Sequence, residues 1–115
     1  MGNKERGGEK MTIFWVGTYL VKREKRLEFL SFQKRWLKYV KDNPETFKEL
    51  KSWKLFSQDI GGTLGGYIEM WEYDNLTEYA KAMEKWDAYK GYVEFAEEWY
   101  RLAETSTCSI WKAVM

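Results

Sequence analysis

Hydrophobic residues form extended clusters at four places along the chain, and between these clusters they recur at helical spacing. The clusters are rich in β-branched and aromatic residues, a composition typical of β-strands. The pattern therefore predicts strands over residues 12–22, 52–60, 66–73 and 106–114.

Apolar residues at intervals of three and four predict two long helical segments. The first covers residues 24–41, and its apolar stripe has seven members. They are Leu27, Leu30, Leu37 and Val40, with Phe29, Phe32 and Trp36 widening the stripe. The second covers residues 76–104, with a break predicted over 87–91. Asn75 and Glu78 resemble a capping box at its start.

A third, shorter helix is predicted between the first helix and the second strand. Asn43 has the chemistry of an N-cap, and Pro44 suits the first helical position. We expect this helix to end near Leu50.

Four glycines within residues 61–66 raise the question of a phosphate-binding loop. Such a loop needs a helix N-terminus directly after the glycines, because that terminus supplies free N–H groups. Here a strand follows instead, so we predict a hairpin turn whose glycines take positive φ. A flexible flap over a cavity is the functional alternative.

Composition excludes several classes of site. The chain has no histidine and one cysteine, Cys108, which removes Ser-His-Asp and Cys-His catalysis, histidine-ligated metals and thiolate clusters. We therefore expect no cofactor and no metal, and we expect Cys108 to be a buried, inert thiol. The lone cysteine and the lack of an N-terminal apolar segment favour the cytoplasm, and no apolar run approaches a membrane span.

Charge is distributed unevenly along a chain whose formal net charge is +1. Residues 1–58 carry 14 Lys/Arg and 7 Asp/Glu, whereas residues 59–115 carry 5 and 11. We expect the basic first half to pack against the acidic second half. A nucleic-acid-binding protein would keep its basic face free, so we expect no nucleic-acid partner.

The order β-α-β-β-α-β is that of the ferredoxin-like α+β fold, with helices on one face of a four-stranded antiparallel sheet. We assign it to residues 12–115, after a polar tail at 1–11. The free face of such a sheet is usually polar, but both faces are apolar here. Trp15 and Tyr19 lie on one side of the first strand, and Val16 and Leu20 on the other. A second copy of the chain would cover the apolar face that the helices leave free, which predicts a homodimer with its sheets face to face.

The segment GYIEMWEYD, residues 66–74, followed by Leu76 and Tyr79, carries a resemblance. A strand ending in E-x-W and leading through a short turn into an acidic-capped helix is similar to the dimeric α/β-barrel superfamily. The similarity is to its antibiotic-biosynthesis-monooxygenase-like and NIPSNAP-like members. The resemblance implies that two ferredoxin-like chains close one barrel, with cofactor-independent oxygenation or isomerisation among the activities. The absence of histidine argues against the haem-handling branches.

Strand alternation places Glu69 on the same face as three aromatic residues of its strand, and the resemblance implies that this face lines the barrel interior. A carboxylate among aromatic rings has a raised pKa, so Glu69 is the candidate acid or base. The candidate ligand-binding residues are Trp15, Tyr19, Tyr67, Trp71 and Tyr73. The alternative is that Glu69 pairs with a Lys or Arg and that the rings are core.

Three functions fit these features. The favoured one is a barrel that binds a small apolar or aromatic molecule, as a binding protein or as an oxygenase or isomerase without cofactor. The second is a structural or regulatory dimer whose barrel is filled, since the chain has seven tryptophans. The third is an RNA-recognition-like module, which shares the element order, but Glu69 stands where a base would stack.

Overall fold

Four strands and three helices make up the part of the chain that the computed structural model describes, residues 11–61 and 65–114 without the side chain of residue 105. They are β1 (Ile13–Val21), α1 (Arg26–Asp42), β2 (Ser52–Ser57), β3 (Gly66–Tyr73), α2 (Leu76–Trp86), α3 (Lys90–Leu102) and β4 (Ala103–Lys112). A 3-10 turn, Arg23–Lys25, precedes α1. The predicted tail at 1–11 lies outside the described residues except for Met11.

The strands form one antiparallel sheet in the order β2-β3-β1-β4. This order and the placement of the helices confirm the predicted ferredoxin-like α+β fold. Trp15 lies opposite Trp71 in the register of β1 with β3, and Gly17 lies opposite Glu69. Because residues directly opposite each other point to the same side of a sheet, the Glu69 side of β3 continues across β1.

The helices cover the sheet face that carries Glu69. Tyr73 packs with Trp36 of α1 and Trp86 of α2 in one buried cluster, and Tyr19 packs with Phe29 of α1 in another. This corrects the expectation that the E-x-W face lines a barrel interior between two chains. Both sheet faces are apolar, so the sequence pattern does not determine which face the helices take.

The buried stripe of α1 differs from the predicted one. Its buried residues are Phe29, Phe32, Gln33 and Trp36, which follow the spacing i, i+3, i+4, i+7. The predicted stripe residue Leu27 is 82% exposed. The helix is rotated so that its larger aromatic side chains, which bury more area, face the sheet.

The predicted helix between residues 43 and 50 is wrong, because this segment is a series of turns. The Asn43 side chain donates to the Tyr39 carbonyl at the end of α1 and so does not cap a following helix. Phe47 is buried against Trp36 and Trp86, and it holds the segment on the core.

The hairpin and the cap of α2 follow the predicted turn chemistry. Gly61 and Gly65 have φ of 79° and 84°, and residues 62–64 lie outside the described part. A Cβ at position 65 would come within 2.6 Å of the Val21 carbonyl oxygen, so this close approach requires glycine. Asn75 Oδ1 accepts from the Glu78 N–H as the N-cap of α2.

Ion pairs join the basic and acidic halves as predicted. Arg35 donates from both terminal nitrogens to the carboxylate of Glu98, and a further pair joins Lys22 to Glu104. Both pairs lie at the surface, with Glu98 partly buried, so each contributes at most about 1 kcal/mol. In the described part of the chain, no helix has the length and apolar character to cross a bilayer.

Candidate functional site

The carboxyl group of Glu69 is buried on β3 and accepts three hydrogen bonds from aromatic side chains. The Tyr19 hydroxyl donates to Oε1 at 2.6 Å, and the indole N–H groups of Trp53 and Trp71 donate to Oε2 at 2.6 and 3.2 Å. Trp71 reaches it because residues i and i+2 share a strand face. Trp53 reaches it because β2 places Trp53 directly opposite Trp71. No Lys or Arg of the described residues pairs with Glu69, so the ion-paired alternative is not observed.

Burial raises the pKa of Glu69 above its ordinary value, and the donated hydrogen bonds only partly offset this. Oε2 faces two indole N–H groups, which cannot accept a hydrogen bond, so a proton on the carboxyl group resides on Oε1. The Tyr19 oxygen can accept from it there. The pKa of Tyr19 is raised by its own burial and further by the adjacent Glu69 charge.

A cavity of about 210 Å³ lies between the sheet and the helices, with Glu69 in its wall. Gly17, opposite Glu69, forms part of the floor, and a Cβ there would come within 2.6 Å of the Trp15 ring. Four of the residues predicted for the site line the cavity. They are Trp15, Glu69, Trp71 and Tyr73.

Tyr19 and Tyr67 lie outside this cavity. Tyr67 stacks on Tyr19 with ring centroids 5.9 Å apart and packs against Phe29, so it contributes to the core. Tyr19 is connected to the cavity through its hydroxyl group, which donates a hydrogen bond to Glu69 in the cavity wall.

The helices contribute cavity residues that were not predicted from the sequence, and three of them carry unpartnered polar atoms. Both polar atoms of the Gln33 amide and the indole nitrogens of Trp36 and Trp99 are buried without a hydrogen-bond partner. Trp99 lies close enough to Glu69 and Tyr19 to lower the pKa of each without hydrogen-bond geometry. The available signal was Gln33, a polar residue within the aromatic stripe of α1.

Unpartnered polar atoms in a cavity wall indicate a place for a molecule that completes their hydrogen bonds, a water or a ligand. Each such atom costs about 1–3 kcal/mol when the group is desolvated and has no partner. A native structure retains this cost where another molecule completes the hydrogen bonds. The Gln33 amide is the clearest case, since its residue is only 5% exposed and neither of its polar atoms is satisfied.

Cys108 corrects another expectation. It was predicted to be buried, but it is exposed and lines the cavity. The reason is the sheet order, which makes β4 an edge strand. Among the described residues, no group of three or more His, Cys, Asp or Glu could hold a metal ion.

Three solved structures resemble this arrangement of strands and helices. A variant of SnoaB, a cofactor-independent oxygenase from Streptomyces nogalater, matches with a TM-score of 0.68 at 16% identity, over 90% of this chain and 94% of that one. A NIPSNAP family protein from Agrobacterium tumefaciens matches with a TM-score of 0.68 at 23% identity, over 90% and 86%. A dimeric protein of unknown function with a ferredoxin-like fold, from Bacteroides fragilis, matches with a TM-score of 0.63 at 12% identity, over 89% and 96%.

The chain has the fold of these proteins. This confirms, at the level of fold, the resemblance carried by the E-x-W segment. No protein-family model matches the sequence, and the search of curated proteins gives no match.

Glu69→Gln should change how stability depends on pH. The folded-state pKa of Glu69 is raised above its ordinary value by burial, so the folded protein binds this proton more tightly than the unfolded chain does. The free energy of unfolding of the wild type therefore falls as the pH rises from about 4 to beyond the folded-state pKa. The fall is about 1.4 kcal/mol for each pH unit that separates the folded-state pKa from the unfolded-state pKa. Glu69→Gln has no carboxyl group at this position, so its free energy of unfolding does not fall for this reason. Urea denaturation at several pH values should show that the free energy of unfolding of Glu69→Gln increases relative to that of the wild type as the pH rises.

Glu84→Gln, on the exposed surface of α2, is the control for removing one carboxylate. A stability difference between Glu69→Gln and the wild type that stays constant from about pH 4 to about pH 8 would contradict the raised pKa.

Proposed function

We propose that the protein is a homodimeric binding protein for a small, neutral aromatic molecule that carries a carbonyl oxygen. The ligand occupies the cavity between the sheet and the helices. The observation that carries the proposal is the buried Gln33 amide, because Gln33 lines this cavity and both of its polar atoms are unpartnered.

The size and lining of the cavity support a ligand of one or two rings. Its volume is about 210 Å³, and an apolar cavity of roughly 150 Å³ is large enough to hold benzene. Aromatic walls favour flat ligands, because rings pack edge-to-face or offset against one another. Trp15 and Trp71 already meet edge-to-face, with centroids 5.7 Å apart.

The polar atoms support a ligand that brings acceptors and no charge. Among the described residues that line the cavity, the unpartnered donors are the indole N–H groups of Trp36 and Trp99 and the amide N–H₂ of Gln33. The unpartnered acceptor there is Gln33 Oε1. A carbonyl oxygen satisfies such donors. No Lys or Arg of the described residues lines the cavity, so an anionic ligand would lie beside Glu69 without a counter-charge.

Glu69 gives the site a chemical capacity beyond binding. N–H donors that hold a carbonyl oxygen stabilise the negative charge formed when a proton leaves the neighbouring carbon. A carboxylate with a raised pKa is a better base for that proton than an ordinary one. SnoaB is described as a cofactor-independent oxygenase, whereas for this chain we propose proton removal alone.

The two other candidate functions have less support. The filled-barrel alternative concerns the space between the two sheets of a dimer, whereas the cavity beside Glu69 lies within one chain and favours a binding role over a purely structural one. An RNA-recognition module stacks bases on the free face of its sheet. Tyr67, Glu69 and Trp71 lie on the opposite face, beneath the helices.

Gln33→Leu should weaken ligand binding and stabilise the protein. Titration with 1-tetralone, a neutral two-ring ketone, is followed by tryptophan fluorescence. Tetralin lacks the carbonyl and 1-naphthoate carries a negative charge, so both should bind less tightly than 1-tetralone. The variant should bind 1-tetralone about tenfold less tightly and gain about 1 kcal/mol of unfolding free energy, because an unsatisfied amide is removed.

Gln58→Leu is the matched control, since Gln58 is exposed and does not line this cavity. It should leave the affinity for 1-tetralone unchanged. If Gln33→Leu instead lowers stability and leaves binding intact, the Gln33 amide has a structural role and the proposal is wrong.

The homodimer is proposed from the sheet face that the helices leave free. Every strand contributes an apolar side chain to this face, and several are strongly exposed in the single chain. They are Phe14, Val16, Leu20, Phe56, Ile68, Met70 and Trp111. A monomer rarely exposes an apolar surface that spans a whole sheet. One structure with this fold is itself described as dimeric.

Ile68→Glu should convert the dimer to a monomer. Ile68 is 42% exposed in the single chain, so the change leaves the fold intact but places a carboxylate in the interface. Light scattering coupled to size exclusion measures the mass. Leu27→Glu, on the outer side of α1, should remain dimeric as the control. A monomeric wild type would contradict the proposal.

A further inference from the structure

We propose that Cys108 is a modification site at the entrance of the cavity, where a mixed disulfide with a small disulfide molecule blocks the ligand. This inference rests on the proposed function, because it requires that the cavity bind a ligand.

The exposure of the lining residues shows where the cavity opens. Gln33 and Glu69 are 5% and 3% exposed and form its deep end. Tyr100 on α3 is 72% exposed, and Ser106 and Cys108 on β4 are exposed as well. The entrance therefore lies between α3 and the edge strand β4, with the Cys108 thiol at its rim.

The thiol points into this entrance and away from the proposed dimer interface. Cys108 lies opposite Gly17, so its side chain shares the sheet face that carries Glu69. Burial raises the pKa of Tyr79, and the nearby Cys108 raises it further. Tyr79 also lines the cavity, so the thiol lies beside a second residue of the cavity wall.

The Gln33 amide independently indicates that the space beyond Cys108 holds a ligand. Both of its polar atoms lack partners, its residue is buried, and it lines the same cavity as the thiol. A group attached to Cys108 would thus lie across the route to atoms that need a partner. The chain has one cysteine, so an internal disulfide cannot consume the thiol.

The modification is a thiol–disulfide exchange. Cys108 loses its proton to water, and the thiolate attacks one sulfur of the small disulfide. A sulfur–sulfur bond to Cys108 forms as the original bond breaks, and the departing thiolate takes up a proton. One half of the small disulfide leaves reduced, as a thiol, and the other half remains in the mixed disulfide with Cys108. The Cys108 sulfur is oxidised in the same step, so no other oxidant is needed. A reducing thiol reverses the step.

The test treats the whole protein with glutathione disulfide and then measures its affinity for 1-tetralone. Intact mass should show one adduct per chain, absent in Cys108→Ser. The adduct should weaken 1-tetralone binding at least about tenfold, and dithiothreitol should restore it. Circular dichroism before and after treatment checks that the fold is retained.

A control moves the thiol away from the entrance. Cys108→Ser combined with Ser31→Cys places it on an exposed position of α1 outside the cavity. Its adduct should leave the affinity for 1-tetralone unchanged.

The outcomes separate this inference from the function on which it rests. If the untreated protein binds 1-tetralone and the Cys108 adduct binds it equally well, the inference is wrong and the proposed function stands. If glutathione disulfide leaves Cys108 unmodified, the inference is also wrong. If the untreated protein does not bind 1-tetralone at all, the proposed function fails and the inference fails with it.

Discussion

A carboxyl group buried among aromatic rings is the constraint on which the rest of this structure depends. Glu69 is held by donors from three neighbouring strands, Tyr19 on β1, Trp53 on β2 and Trp71 on β3. Burying a carboxylate without such donors would cost several kcal/mol. The sheet must therefore keep its register across all three strands, and large amphipathic rings must occupy the face beneath the helices.

The same rings account for the cavity. Its walls are formed largely by rigid aromatic side chains, which pack edge-to-face or offset against one another. Gly17 adds no side chain opposite Glu69, and the helices contribute Gln33 and Trp99 with polar atoms unpartnered. These unpartnered polar atoms lower the stability of the fold, and they lie in the same cavity as a carboxyl group of raised pKa. This combination is typical of a site built for a ligand, because stability alone would favour apolar replacements.

The sequence predicted those parts of the molecule that depend on local chemistry. The strands, the glycine hairpin and the Asn75 cap follow from near neighbours, and strand alternation correctly places Glu69 and Trp71 on one face of the sheet. Long-range packing decided the rest. The side of the sheet that the helices cover, the pairing of Trp53 with Glu69 and the exposure of Cys108 depend on strand order and helix rotation. Neither strand order nor helix rotation can be predicted from a short stretch of the sequence.

Hydrogen exchange at the carbon beside the 1-tetralone carbonyl tests the central claim most directly. In the proposed complex, Glu69 is the base beside the carbon whose hydrogens exchange, and the cavity holds the neighbouring carbonyl. Proton NMR in deuterated buffer near neutral pH should show that the wild type accelerates the loss of these hydrogens. Glu69→Gln should bind 1-tetralone but exchange them only at the buffer rate. Equal rates for wild type and variant, with both proteins binding the ketone, would contradict the account.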